Sequence, residues 1–259
     1  MQPPNAVTEA ARAQNQAATR ALREGNLPKA ASLYQASLAG AESIENFDLA
    51  GANLLNLALV HQQDRRWTDA HAAVDKIIAA AGSYGPANAS RAAARKAMIL
   101  LDQGNDDAAL QWAESALRGC AAPCAITATM ENLRAHVALE QNRIDAAIDF
   151  ASIAVEASAA PAQAPERATA WRLLGRAHTR AGRMAEAAPL LAGALALDRQ
   201  LSLSERIALD LLYAGDNEVR GENRPKAREN YLRAAAVAKA ASNQASMRAA
   251  QARLDALKR

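Results

Sequence analysis

Aromatic side chains are scarce in this sequence: 2 Phe, 3 Trp and 4 Tyr among 259 residues, or 3%. So few rings exclude the aromatic-rich interior of a β-sandwich or barrel. The 12 glycines and 9 prolines are too few to turn many short strands. No run approaches the ~20 apolar residues that would cross a bilayer. Neither charge sign dominates, with 30 basic and 27 acidic residues and a net charge of +3. That mild excess excludes the dense basic field of a dedicated nucleic-acid binder, and the few rings disfavour an RNA-stacking surface. Catalytic signatures are missing as well. There is no Gly-rich phosphate loop ending in Gly-Lys-Ser/Thr, no H-E-x-x-H, no G-x-S-x-G and no calcium loop. The expectation is a protein that is not an enzyme and holds no cofactor or metal. The polar opening Met1-Gln2-Pro3-Pro4-Asn5 carries no cleavable signal. It fits a mature secreted N-terminus with an added Met1, or equally a natural cytoplasmic start.

What the chain has instead is alanine, 70 residues or 27%. Alanine is the strongest helix former and lets backbones pack closely, so the composition reads as all-helical. A 22% share of charged residues disfavours wholesale disorder. Arginine supplies 24 of the 30 positive charges, and its flat fork suits carboxylate recognition.

The alanines repeat. Gly25 leads to Ala30, Arg65 to Ala70, Gly104 to Ala109, Asn142 to Ala147, Gly182 to Ala187 and Glu222 to Ala227. These anchor alanines are spaced by 40, 39, 38, 40 and 40 residues. Twelve residues before each anchor lie Ala18, Ala58, Ala97, Ala135, Gly175 and Gly215, all small. Four residues after it lie Tyr34, Val74, Ala113, Ala151, Leu191 and Tyr231. A small residue in the first column lets two antiparallel helices approach, and the second column fills the space between them.

The fifth unit reads Trp171-x2-Leu174-Gly175-x2-His178 and then Ala187-x3-Leu191-x2-Ala194. The second agrees through Leu54, Leu57, Ala58, Trp67, Ala70, Ala73 and Val74. This pattern resembles the tetratricopeptide repeat, with a period of 38 to 40 residues in place of the family's common ~34. The resemblance implies an all-α, right-handed α-solenoid (superhelix) of six helix-turn-helix units plus a C-terminal capping helix. Expected boundaries are a tail over 1–7, units over 8–40, 48–80, 88–119, 126–158, 166–198 and 204–240, and a cap over 241–259. The whole is read as one cooperative array, not two domains. Pro86, Pro123, Pro161 and Pro165 fall between units, while Pro28 and Pro225 fall in the first turn of a second helix. Pro189 predicts a kink or a late helix start. Ser202 with Glu205 reads as a capping box.

In this family the first helix of each unit lines a concave groove, which places residues 18, 15, 11 and 8 before each anchor on it. The groove residues so expected are Leu55, Leu59, Met98, Leu101, Asn132, His136, Arg172 and Arg176, with Arg180 joining them as the next member of the same stripe. The groove thus starts apolar and turns cationic. Arg172, Arg176 and Arg180 recur every four residues as one stripe that could hold a carboxylate through forked hydrogen bonds. The alternative is a solvated arginine face paired with acids of neighbouring helices. The Lys-Asn-Asn-Lys-Arg pattern of carboxylate-clamp relatives is absent from the sequence. His61 and His178 read as packing residues.

Cys120 and Cys124 enclose Ala121-Ala122-Pro123 between units three and four. Nothing nearby completes the four ligands of a zinc site, which leaves a local disulfide or two incidental thiols. A disulfide points to an oxidising compartment such as a bacterial periplasm. The expected function is a protein-binding scaffold that takes a peptide or protein segment in its groove within a bacterial cell-envelope assembly. The alternatives are a cytoplasmic regulatory module and a homo-oligomerising spacer.

Overall fold

The hairpins are built from one turn, used repeatedly. Gly25, Arg65, Gly104, Asn142, Gly182 and Glu222 all adopt left-handed backbone, with φ of 75°, 55°, 74°, 56°, 76° and 59°. Around each, two hydrogen bonds close the preceding helix. In the first turn the Asn26 N–H donates to the Ala21 carbonyl and the Gly25 N–H to that of Leu22. The same pair recurs at Arg66/His61 with Arg65/Gln62, and at Asn223/Glu218 with Glu222/Val219. This closure satisfies carbonyls that the helix end would otherwise leave unpaired. Next comes a capping residue: the Asn26, Asn46, Asn105, Asn223 and Asn243 side chains accept from the third helical N–H.

The computed structural model describes residues 6–258, so the expected tail lies partly outside the described residues. Two compact units divide the chain after Ile126. The first holds α1 (Ala6–Arg23), α2 (Leu27–Ser43), α3 (Phe47–Gln63), α4 (Trp67–Ala79), α5 (Ala81–Asp102) and α6 (Asp106–Arg118). The second holds α7 (Thr127–Glu140), α8 (Ile144–Ala157), a 3-10 turn at Pro161–Gln163 and α9 (Ala164–Arg180). It continues through α10 (Met184–Gln200), α11 (Ser204–Arg220), α12 (Arg224–Ala240) and α13 (Gln244–Ala256). Within each unit successive helices pack as antiparallel hairpins. The first helices of neighbouring hairpins lie side by side: α1, α3 and α5 in one unit; α7, α9, α11 and α13 in the other. Each unit is a short helical solenoid. The 40-residue step follows where two 17-residue helices alternate with three-residue turns, as in α10 to α12.

The repeat columns are the contact surface. The anchors Ala30, Ala70, Ala109, Ala147, Ala187 and Ala227 are completely buried, as are Ala18, Ala58, Ala97 and Ala135 in the small column. In the last two hairpins of the series the small residue is glycine. A Cβ on Gly175 would lie 2.7 Å from Leu191 Cγ, and one on Gly215 only 2.3 Å from Tyr231 Cε1. Tyr231 cannot yield, because it is buried and its hydroxyl donates to Asp216 at 2.8 Å.

Three local expectations change. Ser202 does not cap α11; it is the left-handed residue of its turn, at φ 57°, and Leu203 stands at the cap without a side-chain bond. The three-residue closure requires the left-handed residue there, two positions before the helix. α10 starts at Met184 and continues through Pro189, so the helix does not start late. Pro86 does not separate two helices cleanly. Gly85, at φ 78° and ψ 160°, kinks α5 just before it.

In an exposed helix, alanine for glycine would stabilise by about 1 kcal/mol. At Gly215 the sign reverses. Gly215→Ala is expected to destabilise the fold by about 1–3 kcal/mol through overpacking against Tyr231, measured by urea or thermal unfolding.

Candidate functional site

The column fifteen residues before each anchor is interior. Leu55, Asn132 and Arg172, three of the expected groove residues, are buried there. The reason is geometric: this column faces the first helix of the next hairpin. Asn132 Nδ2 donates to the Glu166 carbonyl at 2.9 Å, across from α7 to α9. In the first unit Asn15, in the same column, donates to Asn53 Oδ1 of α3 at 2.8 Å. Asn53 passes the bond on to Ser37 Oγ, also at 2.8 Å.

Arg172 repeats that connection with full charges. Its Nε donates to Asp210 Oδ1 of α11 at 2.5 Å, and its Nη2 to Asp198 Oδ2 at the end of α10. All three side chains are buried. One guanidinium facing two carboxylates leaves a negative charge uncompensated. Burial, reinforced by the neighbouring Asp198 and opposed by Arg172, pushes the Asp210 carboxyl up to about 7. Arg172 is therefore a clasp between α9, α10 and α11, not a groove ligand. This corrects the arginine stripe at its first member.

The other two members do reach an open surface. In the second unit a pocket of about 350 Å³ is lined by Arg176, Thr179 and Arg180 of α9 and by Tyr213, Asp216, Val219 and Arg220 of α11. Tyr231 of α12 and Arg253 of α13 complete it. Of the α11 residues, Asp216 and Val219 keep the expected columns 11 and 8 before Ala227, while Tyr213 and Arg220, at 14 and 7, lie one residue beyond columns 15 and 8. Arg176 stacks over the Tyr213 ring at 4.3 Å and donates to Glu140 at 3.1 Å. Burial alone would raise the Glu140 carboxyl. The Arg176 hydrogen bond and charge, with His136 and Arg180 nearby, bring it below the ordinary carboxylate value. Arg180 Nη1 donates to the Leu139 carbonyl. Arg253 grips Asp216 with both arms, at 2.7 and 2.9 Å. Burial first, then the Asp216 charge, raises the Tyr231 hydroxyl, which stays a neutral donor. Counting Glu140 with Asp216, four guanidiniums face two carboxylates, an excess of two positive charges. The chemistry offered is a cationic, aromatic-floored recess for an anionic group.

The remaining expected residues are more dispersed. His136 is half-buried on α7. In the first unit Leu59 lies half-buried on α3, and Met98 and Leu101 on α5, beside it. Tyr213, Asp216, Arg220, Tyr231 and Arg253 were missed. The signal for Tyr213, Asp216 and Arg220 was available in unit six, at 14, 11 and 7 before the anchor; Tyr231 and Arg253 come from other helices.

The tetratricopeptide repeat profile matches residues 55–122 and 132–202, over half of the chain. The chain belongs to the tetratricopeptide repeat family. Solved structures agree on the fold at low identity. The type IV pilus biogenesis factor PilW is 15% identical, covering 94% of this chain and 98% of its own, at a TM-score of 0.64. A Rap protein complexed with competence and sporulation factor is 17% identical over 93% of this chain and 69% of its own, at 0.65. YrrB, described as a tetratricopeptide repeat protein with an unusual peptide-binding site, is 18% identical over 83% and 95%, at 0.52. No curated protein sequence matches.

The aspartate clasp makes this repeat protein's stability pH-dependent. A folded-state carboxyl raised from 3.8 to about 7 favours folding below the lower value. That advantage is lost as pH rises towards the upper one, by a few kcal/mol in order of magnitude. Asp210→Asn keeps an acceptor for Arg172 and cannot ionise. Its stability relative to the native chain is expected to improve steadily from pH 4 to 7 and then level off. Parallel pH slopes in unfolding titrations of the two proteins would discount the buried proton.

Proposed function

We propose that this tetratricopeptide repeat protein is a non-enzymatic scaffold that binds an anionic segment of a protein partner in the second unit's arginine pocket. The observation that carries this reading is the uncompensated charge of Arg180 and Arg220 beside Arg176 and Arg253 in one recess. Repeat proteins of this family present the first helices of their hairpins as a binding surface, and these arginines stand on such helices. YrrB's peptide-binding site and the Rap complex, each described for that protein, are consistent with this use of the fold. Leu59, Met98 and Leu101 of the first unit supply a separate apolar surface for burial.

A charge-assisted hydrogen bond contributes about 1.5–3 kcal/mol. Arg180→Ala with Arg220→Ala should therefore lower partner affinity at least tenfold and flatten its dependence on salt. The check is quantitative capture from the native source, native against variant, with the bound proteins identified by mass spectrometry. Equal capture by both would remove the pocket from the function.

We place the protein in an oxidising compartment, within a cell-envelope assembly. This placement rests on the pairing of Cys120 with Cys124 as a disulfide in the link after α6. Alkylation of freshly lysed native cells should leave both thiols unlabelled until reductant is added. Immediate labelling would favour the cytoplasmic regulatory reading.

A further inference from the structure

The helices α9 and α11, which both line the arginine pocket, are joined by three side-chain rungs about one helical turn apart. Arg172 donates to Asp210 at 2.5 Å, Arg176 stacks over the Tyr213 ring at 4.3 Å, and Thr179 Oγ1 donates to Asn217 Oδ1 at 2.9 Å. The second and third rungs supply pocket wall through Arg176, Thr179 and Tyr213. The first differs in setting two acids against one cation. Arg172 engages one oxygen of each, Asp198 Oδ2 and Asp210 Oδ1. The other two, Asp198 Oδ1 and Asp210 Oδ2, are buried with no donor among the described residues. Ionised carboxylates only accept, so these oxygens can serve each other only through a proton. One carboxyl does lie within hydrogen-bonding reach of the other.

Resting on the anion-pocket reading above, we infer that one proton held between Asp198 and Asp210 keeps the α9–α11 seam closed and so gates the arginine pocket. The sign follows from the charges. With the proton, the buried set is neutral: one guanidinium, one carboxylate and one carboxyl. Without it, a net negative charge stands where both aspartates are fully buried, and the seam loosens to hydrate it. Loosening draws Tyr213 away from Arg176, and the added charge offsets part of the pocket's positive excess. Both effects weaken anion binding as pH rises through about 7, the value to which the Asp210 carboxyl is pushed, and both are absent below it. Arg172 from α9 and Asp198 from α10 are the charged groups acting on Asp210. On α12 and α13, Lys226, Arg233 and Arg253 are engaged by Glu218, Glu229 and Asp216.

The probe is a rhodamine-labelled hexaglutamate peptide, whose side chains stay ionised from about pH 6 to about pH 8.5. Fluorescence anisotropy with the full chain should show affinity falling about tenfold between those limits. Asp210→Asn should abolish the fall, because its amide can donate to Asp198 as the carboxyl does. Asp198→Asn should act alike, so the result does not hang on one variant folding. The histidines are common to native chain and variants, and the difference between them isolates the clasp. Linkage is reciprocal: saturating peptide should move the Asp210 Cγ titration midpoint, followed by carbon NMR, upward by about one pH unit. Equal or tighter binding at the higher pH, an unmoved midpoint, or a fall that persists in both variants overturns the gate and leaves the anion pocket standing. No binding at either pH overturns both.

Discussion

The structure depends on how closely two antiparallel helices can approach within a hairpin. Twelve residues before each anchor alanine there is room for a hydrogen or a methyl group and nothing more. The first column stays small while its partner ranges from alanine (Ala113, Ala151) through Val74 and Leu191 to Tyr34 and Tyr231. The abundance of alanine follows from the same constraint repeated six times.

Among the described residues, two sets of polar groups buried where the helices of successive hairpins meet are connected in chains. Asn15, Asn53 and Ser37 form one such chain in the first unit. Arg172, Asp210 and Asp198 form its charged equivalent in the second. The two sets occupy matching repeat columns, a position fifteen before one anchor reaching a position seventeen before the next. Leu55 and Leu212 occupy the same first column with apolar side chains. The interface thus accepts either chemistry, polar side chains bonding to a counterpart across the gap and apolar ones packing there.

The helical class, the hairpin turns and the contact columns were legible in the sequence because each is a local rule repeated at a fixed step. Left-handed residues appear at all six positions that precede the anchors by five, even where the residue is Arg, Asn or Glu. The pocket was legible only in part. Arg176 and Arg180 were found, but Arg172 was assigned to the same stripe because a spacing of four cannot tell the face that looks out from the flank that meets the next helix. That difference is a rotation of one residue, and only the partner helix defines it. Tyr231 and Arg253 reach the pocket from other helices, so no single periodicity contains them.

Asp216 links recognition to integrity. One carboxylate receives the Arg253 fork from the last helix and the hydroxyl of Tyr231, the ring that fills the space left by Gly215. An incoming anion that draws Arg253 towards itself competes with Asp216 for the same guanidinium. The last turn of α13 and the core of the last hairpin therefore hang on the same carboxylate.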